Sequence, residues 1–515
     1  MNLVDVLLNN VRRYPDKLAL ICGDTRLTYK TFNERCNQLA NSLTHLGISK
    51  GDHIALLSKN CHRQYELFFA SAKTGAVFIP LNYRLSPREL IYIINDSESR
   101  ILFFAKEYLP IVKTIQKDLK GINTYICTDD KVDPFCCYEE LLSRSDPSEP
   151  NSSDIDEEDL VTIFYTSGTT GYSKGAMISH QNRIVDMIHQ VTDLEYIEPE
   201  DIHLNVGPLY HVGALAQSHG HLYRGCTVVI LSEFDPKRIF ELIEKERIRT
   251  FWAAPTMIQM LLDYPEAKKY DHSSLKTITY AGSPMPVELL KRAIRFFGEN
   301  LFIQFFGMTE TGPQITHLRR KDHVLQGTER QLKKLLSVGI ESQNVHVRIV
   351  DDEDRDLPPY QVGEIIVKSE GVTKGYWKNP EETKKAIKEG WFHTGDMGYM
   401  DEDRYVYIVD RKKDMIISGG ENIYSAEVEN VLYLHPAISE AAVIGVPHEK
   451  WVETVKAVVA LKPGAQATEE EIIEFCKKNL AGYKKPTSVE FVNELPKTPS
   501  GKVLKWRLRE MYGKP

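Results

Sequence analysis

Ten residues from Thr166 to Gly175, Thr-Ser-Gly-Thr-Thr-Gly-Tyr-Ser-Lys-Gly, combine three glycines, several hydroxyl side chains and one lysine. That is the composition of a phosphate cradle. Glycines let backbone N–H groups turn inward, hydroxyls donate to phosphate oxygens, and a lysine adds a point charge. The candidates are Thr166, Ser167, Gly168, Thr169, Thr170, Gly171 and Lys174. The spacing is not that of a P-loop, since no glycine directly precedes Lys174 and no Ser or Thr follows it.

Further segments carry groups that suit a nucleotide. In Gln304-Phe305-Phe306-Gly307-Met308-Thr309-Glu310 an aromatic ring can stack on a purine, Thr309 can donate to a phosphate, and Glu310 offers a hard oxygen to Mg²⁺. Small residues at Ala281, Gly282, Ser283 and Pro284 permit close backbone approach to a flat ligand. In Trp391-Phe392-His393-Thr394-Gly395-Asp396, read as lying between a helix and a turn, a carboxylate after glycine can accept both hydroxyls of a ribose. The paired glycines of Ser418-Gly419-Gly420-Glu421 leave a backbone edge beside which an extended chain could run. Near the end, Pro499 and Gly501 fix one exposed lysine, Lys502. His211 stands in a loop that enters an apolar helix.

These groups need a frame that holds them. Short apolar runs at His53 to Leu57, Ala76 to Pro80, Ile101 to Phe104, Val161 to Tyr165, Thr227 to Leu231, Arg249 to Ala253, Thr277 to Tyr280 and Leu301 to Phe305 alternate with helical spacing. That alternation predicts an α/β fold with parallel-rich sheets, and ligands beyond the carboxyl ends of the strands. After about residue 335, Val345 to Val350 and Gly363 to Val367 alternate as in a small antiparallel or barrel-like element. The charged stretch Asp410 to Asp414 reads as a hinge. The expected domains are therefore 1–409, a hinge at 410–414, and a small α+β domain at 415–515.

The chain has 515 residues, 42% apolar and 26% charged, with a net charge of −8, which argues against a nucleic-acid partner. Eight cysteines without Cys-x-x-Cys spacing read as reduced thiols of a cytoplasmic protein. The opening MNLVDVLLNNVRRYPDK reads as an amphipathic helix and not as a signal peptide. No 18-residue apolar run is present, so no transmembrane segment is expected; peripheral membrane contact stays open, as does monomer against homodimer.

The string YTSGTTGYSKGA resembles the signature loop of the adenylate-forming superfamily, which holds acyl-CoA synthetases, luciferases and peptide-synthetase adenylation domains. The resemblance runs over essentially the whole chain and is nearest to AMP-forming, fatty-acid–CoA ligase-like acyl-CoA synthetases. It implies ATP and Mg²⁺, with coenzyme A as co-substrate. Carried over by motif, it makes Glu310 and Thr170 the metal-linked residues, places adenine at Gly282 to Pro284, and lines the AMP site with Gln304 to Met308. The family usually has tyrosine where Phe306 stands, so the stacking face remains and a hydroxyl is lost. Asp396 and Arg411 match the ribose contacts, Lys413 the hinge position, Gly419 to Glu421 the CoA tunnel, Lys502 the catalytic lysine and His211 the gate to the thiol.

The acyl pocket implied by the resemblance is lined by His211, Val212, Gly213, Leu215, Trp252, Ala253, Tyr280, Ala281, Phe305, Met308 and Gly312. It is apolar, which favours a fatty acid of medium to long chain, with an aryl or arylpropenoic acid as the alternative. A peptide-synthetase domain would need an acid in GPLYHVGALAQSHGHL, and there is none. A luciferase-like oxidase shares every motif. A non-catalytic nucleotide sensor would have little need for Lys502 and Glu310 together.

Overall fold

The computed structural model describes residues 1–515 apart from 152–153, 167–172, 196, 420, 498–502 and 514–515. The chain divides into two compact units, one of residues 1–346 with 367–392 and one of residues 347–366 with 393–515.

The first unit is built on two sheets. In the nine-stranded sheet, Leu18–Cys22, Thr227–Ile230, Ile202–Asn205, Thr250–Ala253, Thr277–Tyr280 and Phe302–Phe306 run parallel in that spatial order. The seven-stranded sheet sets His53–Leu57 between Ser99–Phe104 and Val77–Leu81, all parallel, and continues to Leu160–Thr166. His53–Leu57 and Val77–Leu81 are buried at every position, as strands covered on both faces must be. The apolar runs of the sequence fall on these strands to within a residue or so. Leu160–Thr166 then turns back as Lys174–Ser179 in an antiparallel hairpin that pairs Thr166 with Lys174. The next helix, His180–Asp193, starts where Ser179 and Asn182 cap each other's backbone N–H groups.

The second unit is antiparallel-rich. Trp391–Met400 pairs antiparallel with Val406–Arg411. Asp396 therefore stands inside a ten-residue strand, which corrects the expectation of a site between a helix and a turn. The alternating burial of Phe392, Thr394, Asp396 and Gly398 explains the strand, and the short polar and glycine positions His393 to Asp396 hid it. Ile416–Ser418 and Glu421–Ile423 form a small hairpin beside the long pair Ile438–His448 and Val452–Leu461, with Ser488–Phe491 added parallel at the edge. The helices Ser425–Tyr433 and Glu469–Asn479 cover a core of Ile416, Val428, Val443, Val459 and Ile472. Among the described residues, no helix is long and apolar enough to cross a membrane.

Candidate active site

The first unit gathers its polar groups at one hairpin. Thr166 ends one strand and Lys174 begins the next. The paired strands pack closely at residue 175 because it is glycine: a Cβ there would meet Ile163 Cγ2 at 2.7 Å. Glu310 lies in the short turn Thr309–Thr311 that follows the strand Phe302–Phe306, and its carboxylate is buried. Its Oε1 accepts from Thr166 Oγ1 at 3.4 Å and from Tyr376 OH at 3.1 Å, while Oε2 accepts no bond among the described residues. Lys174 donates to Glu382, in the first turn of the helix Pro380–Ala386, and its ammonium lies 5.4 Å from the centroid of the Tyr376 ring. Hydrogen bonds from Lys174 and Lys385 hold the Glu382 carboxyl down at about 2. Burial, and then the charge of Glu310, push the Tyr376 phenol above its ordinary range, so it stays a donor at neutral pH.

The apolar part centres on Trp252. A Cβ at Gly207 would meet its Cζ3 at 2.6 Å, and Cβ positions at Gly213 and Gly282 lie 3.9 Å from its Cζ2. The indole thus stands against three glycine backbones, Gly207 and Gly213 from the passage out of Ile202–Asn205 into the helix Val212–Tyr223 and Gly282 from the turn after Thr277–Tyr280. His211 stands at the N-cap position of the helix Val212–Tyr223 without a side-chain capping bond, with its ring 4.7 Å from that of Tyr210. Ala281 and Met308 are half-buried.

Several sequence candidates point elsewhere. The Tyr280 ring is fully buried in the core beneath the helices Pro255–Asp263 and Val287–Phe297, with its hydroxyl 3.0 Å from His323 Nε2 and 3.3 Å from Gln304 Oε1. Alternation along the strand decides this, because Trp252 and Thr279 face one side while Ala253 and Tyr280 face the other. Leu215 also sits in a hydrophobic cluster, whereas Phe305 is buried with Ile303 and Ala281 on the face that Trp252 and Thr279 share. Gly312, at φ +75°, packs so close to Asp186 that a Cβ would come within 2.2 Å of its Oδ1.

Within the second unit Asp396 and Arg411 face each other across paired strands, with Arg411 Nε donating to Asp396 Oδ1 at 2.6 Å. Lys413 is exposed. Asp410 accepts from the backbone and hydroxyl of Ser425, and Asp414 from Arg509 at 2.7 Å, so the hinge-like stretch is tied down on both sides of Lys413. Gly419 N–H donates to Trp451 O at 2.9 Å, and Glu421 is exposed on the partner strand. Ser167, Gly168, Thr169, Thr170, Gly171, Gly420 and Lys502 lie outside the described residues.

Sequence reasoning missed Tyr376 and Glu382. Both belong to Gly-Tyr-Trp-Lys-Asn-Pro-Glu-Glu, whose aromatic pair ahead of an Asn-Pro helix start marks a packed turn without naming its partners. Among the described residues no group of three or more His, Cys, Asp or Glu side chains could cage a metal. One buried carboxylate with a spare oxygen suits Mg²⁺, which commonly takes one or two carboxylates and completes its shell with water and substrate phosphates.

Residues 7–377 match the AMP-binding enzyme family, and residues 427–502 match the AMP-binding enzyme C-terminal domain. A feruloyl-CoA synthase of Amycolatopsis sp. is 37% identical over 508 residues, 98% of either chain. A long-chain-fatty-acid–CoA ligase of Mycobacterium tuberculosis is 35% identical over 494 residues, 95% of this chain and 94% of that one. Among solved structures, the anthranilate CoA ligase AuaEII in complex with anthranoyl-AMP has a TM-score of 0.89 at 26% identity, covering 100% of this chain and 97% of that one.

Proposed function

The chain belongs to the AMP-binding enzyme family and is an AMP-forming acid–thiol ligase; from that premise we propose that its acid has an uncharged, apolar body and is a fatty acid of medium to long chain. The observation that carries this is the wall at Trp252, an indole set against Gly207, Gly213 and Gly282 with no charged side chain among those neighbours. An apolar wall takes up methylene groups and rejects a second carboxylate or an ammonium, whose burial without a partner is costly.

The reaction runs in two steps. A carboxylate oxygen of the acid attacks the α-phosphorus of ATP and pyrophosphate leaves, giving the acyl-adenylate. The thiol sulfur of coenzyme A then attacks the acyl carbonyl carbon and AMP leaves, giving the thioester. Thr166, Lys174 and the hydroxyls of 167–170 bind the phosphates, the backbone at Gly282 to Pro284 and the Phe306 ring take the adenine, and Asp396 with Arg411 holds the ribose. Glu310 and Thr170 would hold Mg²⁺, which neutralises phosphate charge when bound. Lys502 stabilises charge on the α-phosphate in the first step. The segment 415–515 turns about Lys413 between steps, so that Gly419 to Glu421 replaces Lys502 and lines the thiol path past His211. One site serving two reactions needs such an exchange, because the lysine and the thiol would compete for the same space.

A second reading, an arylpropenoic acid, is supported by the feruloyl-CoA synthase relative and by Trp252 itself, whose face can stack on an aromatic ring. Pyrophosphate release with ATP and Mg²⁺ across acetate, octanoate, palmitate, benzoate, cinnamate and several amino acids, with and without CoA, decides between the two. Release with octanoate or palmitate, and thioester only when CoA is present, is the expected result. Release with cinnamate alone moves the assignment to the second reading. Release with acetate or an amino acid alone overturns both.

A further inference from the structure

The geometry points to Tyr376 as a positioning residue for the adenylation step, one that aims the Glu310 carboxylate through its hydroxyl and steadies Lys174 through its ring. This rests on the reading of Glu310 and Lys174 given above.

The segment Lys374 to Trp377 lies along the outer edge of the phosphate hairpin and pairs with it through a single bridge at Tyr376. Met177 N–H donates to Gly375 O at 2.9 Å, Lys374 N–H to Met177 O at 2.9 Å and Trp377 N–H to Gly175 O at 2.8 Å, with Ala176 and Tyr376 paired in register. Successive side chains of an extended segment point to opposite faces. Trp377 goes inward, where its Nε1 donates to Asp96 O at 3.0 Å and its ring meets that of His53 at 4.7 Å. Tyr376 is thereby sent to the other face, toward Glu310 and Lys174. Trp377 provides the anchorage, which leaves the Tyr376 side chain for the site.

The bonds at Glu310 divide the labour further. Thr373 N–H donates to the Glu310 backbone oxygen at 2.7 Å, so the segment already fixes the main chain there. What the phenol adds is orientation of the carboxylate. With Thr166 Oγ1 and Tyr376 OH both on Oε1, the second oxygen is the one left to meet a cation or a phosphate-bound water. Thr166 opens the loop, Lys174 closes it and Glu310 comes from another sheet; Tyr376 touches two of these three and shares Oε1 with the third. An aromatic face beneath an ammonium adds attraction without neutralising it, so the Tyr376 ring steadies Lys174 while the Glu382 carboxylate is its ionic partner.

A tyrosine that merely packed would give the same stability as phenylalanine and the same kinetics. The full chain is therefore compared with Tyr376→Phe, Glu310→Gln and the double variant. The readouts are kcat and KM for ATP in pyrophosphate release, thioester formation from supplied acyl-adenylate, and calorimetric binding of a non-hydrolysable ATP analogue as Mg²⁺ is varied. Rates are normalised to the binding sites counted by calorimetry, so partial misfolding does not enter.

Tyr376→Phe is expected to lower kcat for adenylation about tenfold to a hundredfold, the range for a hydrogen bond to a charged group. It is expected to raise the Mg²⁺ needed for half-maximal analogue binding by several-fold, leave the thioester step unchanged, and add nothing in the Glu310→Gln background. Wild-type kinetics and Mg²⁺ response in Tyr376→Phe, beside an inactive Glu310→Gln, overturn the role of Tyr376 while the reading of Glu310 stands. Equal loss in both half-reactions overturns it as well. Wild-type adenylation in Glu310→Gln overturns the reading of Glu310 and the inference with it.

Discussion

In the first unit the polar candidates stand beyond the carboxyl ends of strands or at the turn of a hairpin: Thr166 and Lys174 flank a loop, Glu310 follows Phe302–Phe306, and Ser283 follows Thr277–Tyr280. In the second unit Asp396 and Arg411 stand inside antiparallel strands and face one another across them. The interiors differ as well. The second unit's core is mainly aliphatic, whereas the helix His180–Asp193 of the first buries His180, Asn182, Arg183, Asp186, His189 and Asp193. A parallel sheet collects strand ends at one edge and leaves a crevice there. An antiparallel pair instead sets neighbouring side chains in register, so it can offer a preformed couple such as an acid and its guanidinium. The first unit is thus suited to enclosing a triphosphate and an acid, and the second to presenting one small polar grip.

The buried histidines give the contrast its largest expected effect. Burial lowers His180, His221, His317 and His323 to about 4, and lowers His53, His62, His189, His203 and His219 as well. All nine lie in residues 1–346, while none of His393, His435 and His448 in the second unit is buried. A histidine near 4 when folded and near its ordinary value when unfolded takes up its proton in the unfolded state first. Its contribution is complete above about pH 6.5 and is lost as pH falls toward 4. Each of the four at about 4 costs on the order of 1–2 kcal/mol by pH 5. Asp186, raised to about 7 by burial, and Asp193, also raised, work in the opposite direction but are outnumbered. Amide hydrogen exchange at pH 7 and pH 5 should show the first unit's core losing several kcal/mol of protection while Ile438–His448 and Val452–Leu461 change little. Equal loss in both units would remove the histidines as its cause.

The next effect tests whether the units divide the chemistry. Lys502→Ala should cost adenylation about 3–4 kcal/mol, the scale for loss of one preorganised donor to transition-state charge. Thioester formation from supplied acyl-adenylate should persist. Parallel loss of both half-reactions would mean that the second unit does not exchange one residue for another between steps.

The same contrast explains what could be read in advance. Strands covered on both faces spell out short apolar runs, so the first unit's sheets and the loops at their ends were legible. The helices Tyr29–His45 and His180–Asp193 were not singled out, because their buried faces carry Asn33, Asn37, Arg183 and Asp186, which break an amphipathic pattern. Their partners come partly from far along the chain and partly from the same helix: Asn37 donates to Pro147 O at 2.9 Å, and Arg183 meets His219 at 3.2 Å and, one turn along its own helix, Asp186 at 2.8 Å. Asp396 was found as a residue but not as part of a strand. Tyr376 and Glu382 stayed silent because their meaning lies in contacts made 66 and 208 residues away in the chain.

The smallest effect belongs to the second unit and is the strictest check on its independence. Behind the hinge-like stretch, Ser425 donates to Asp410 through both its N–H and its Oγ, and Lys505 Nζ reaches Ser425 Oγ at 2.5 Å and Glu429 at 2.7 Å. Burial raises the Glu429 carboxyl, and the charge and hydrogen bond of Lys505 act against that rise. Ser425→Ala removes one hydroxyl from this chain but keeps the backbone bond to Asp410. The loss should be about 1–2 kcal/mol, the scale of a single hydrogen bond to a charged group. It should appear as faster amide exchange in Ser425–Tyr433 and Ile438–His448, with the first unit's core and the adenylation KM for ATP unmoved. Exchange that accelerated equally in His53–Leu57 and Thr277–Tyr280 would mean that the two units unfold as one, and the separation seen in their interiors would have no counterpart in their stability.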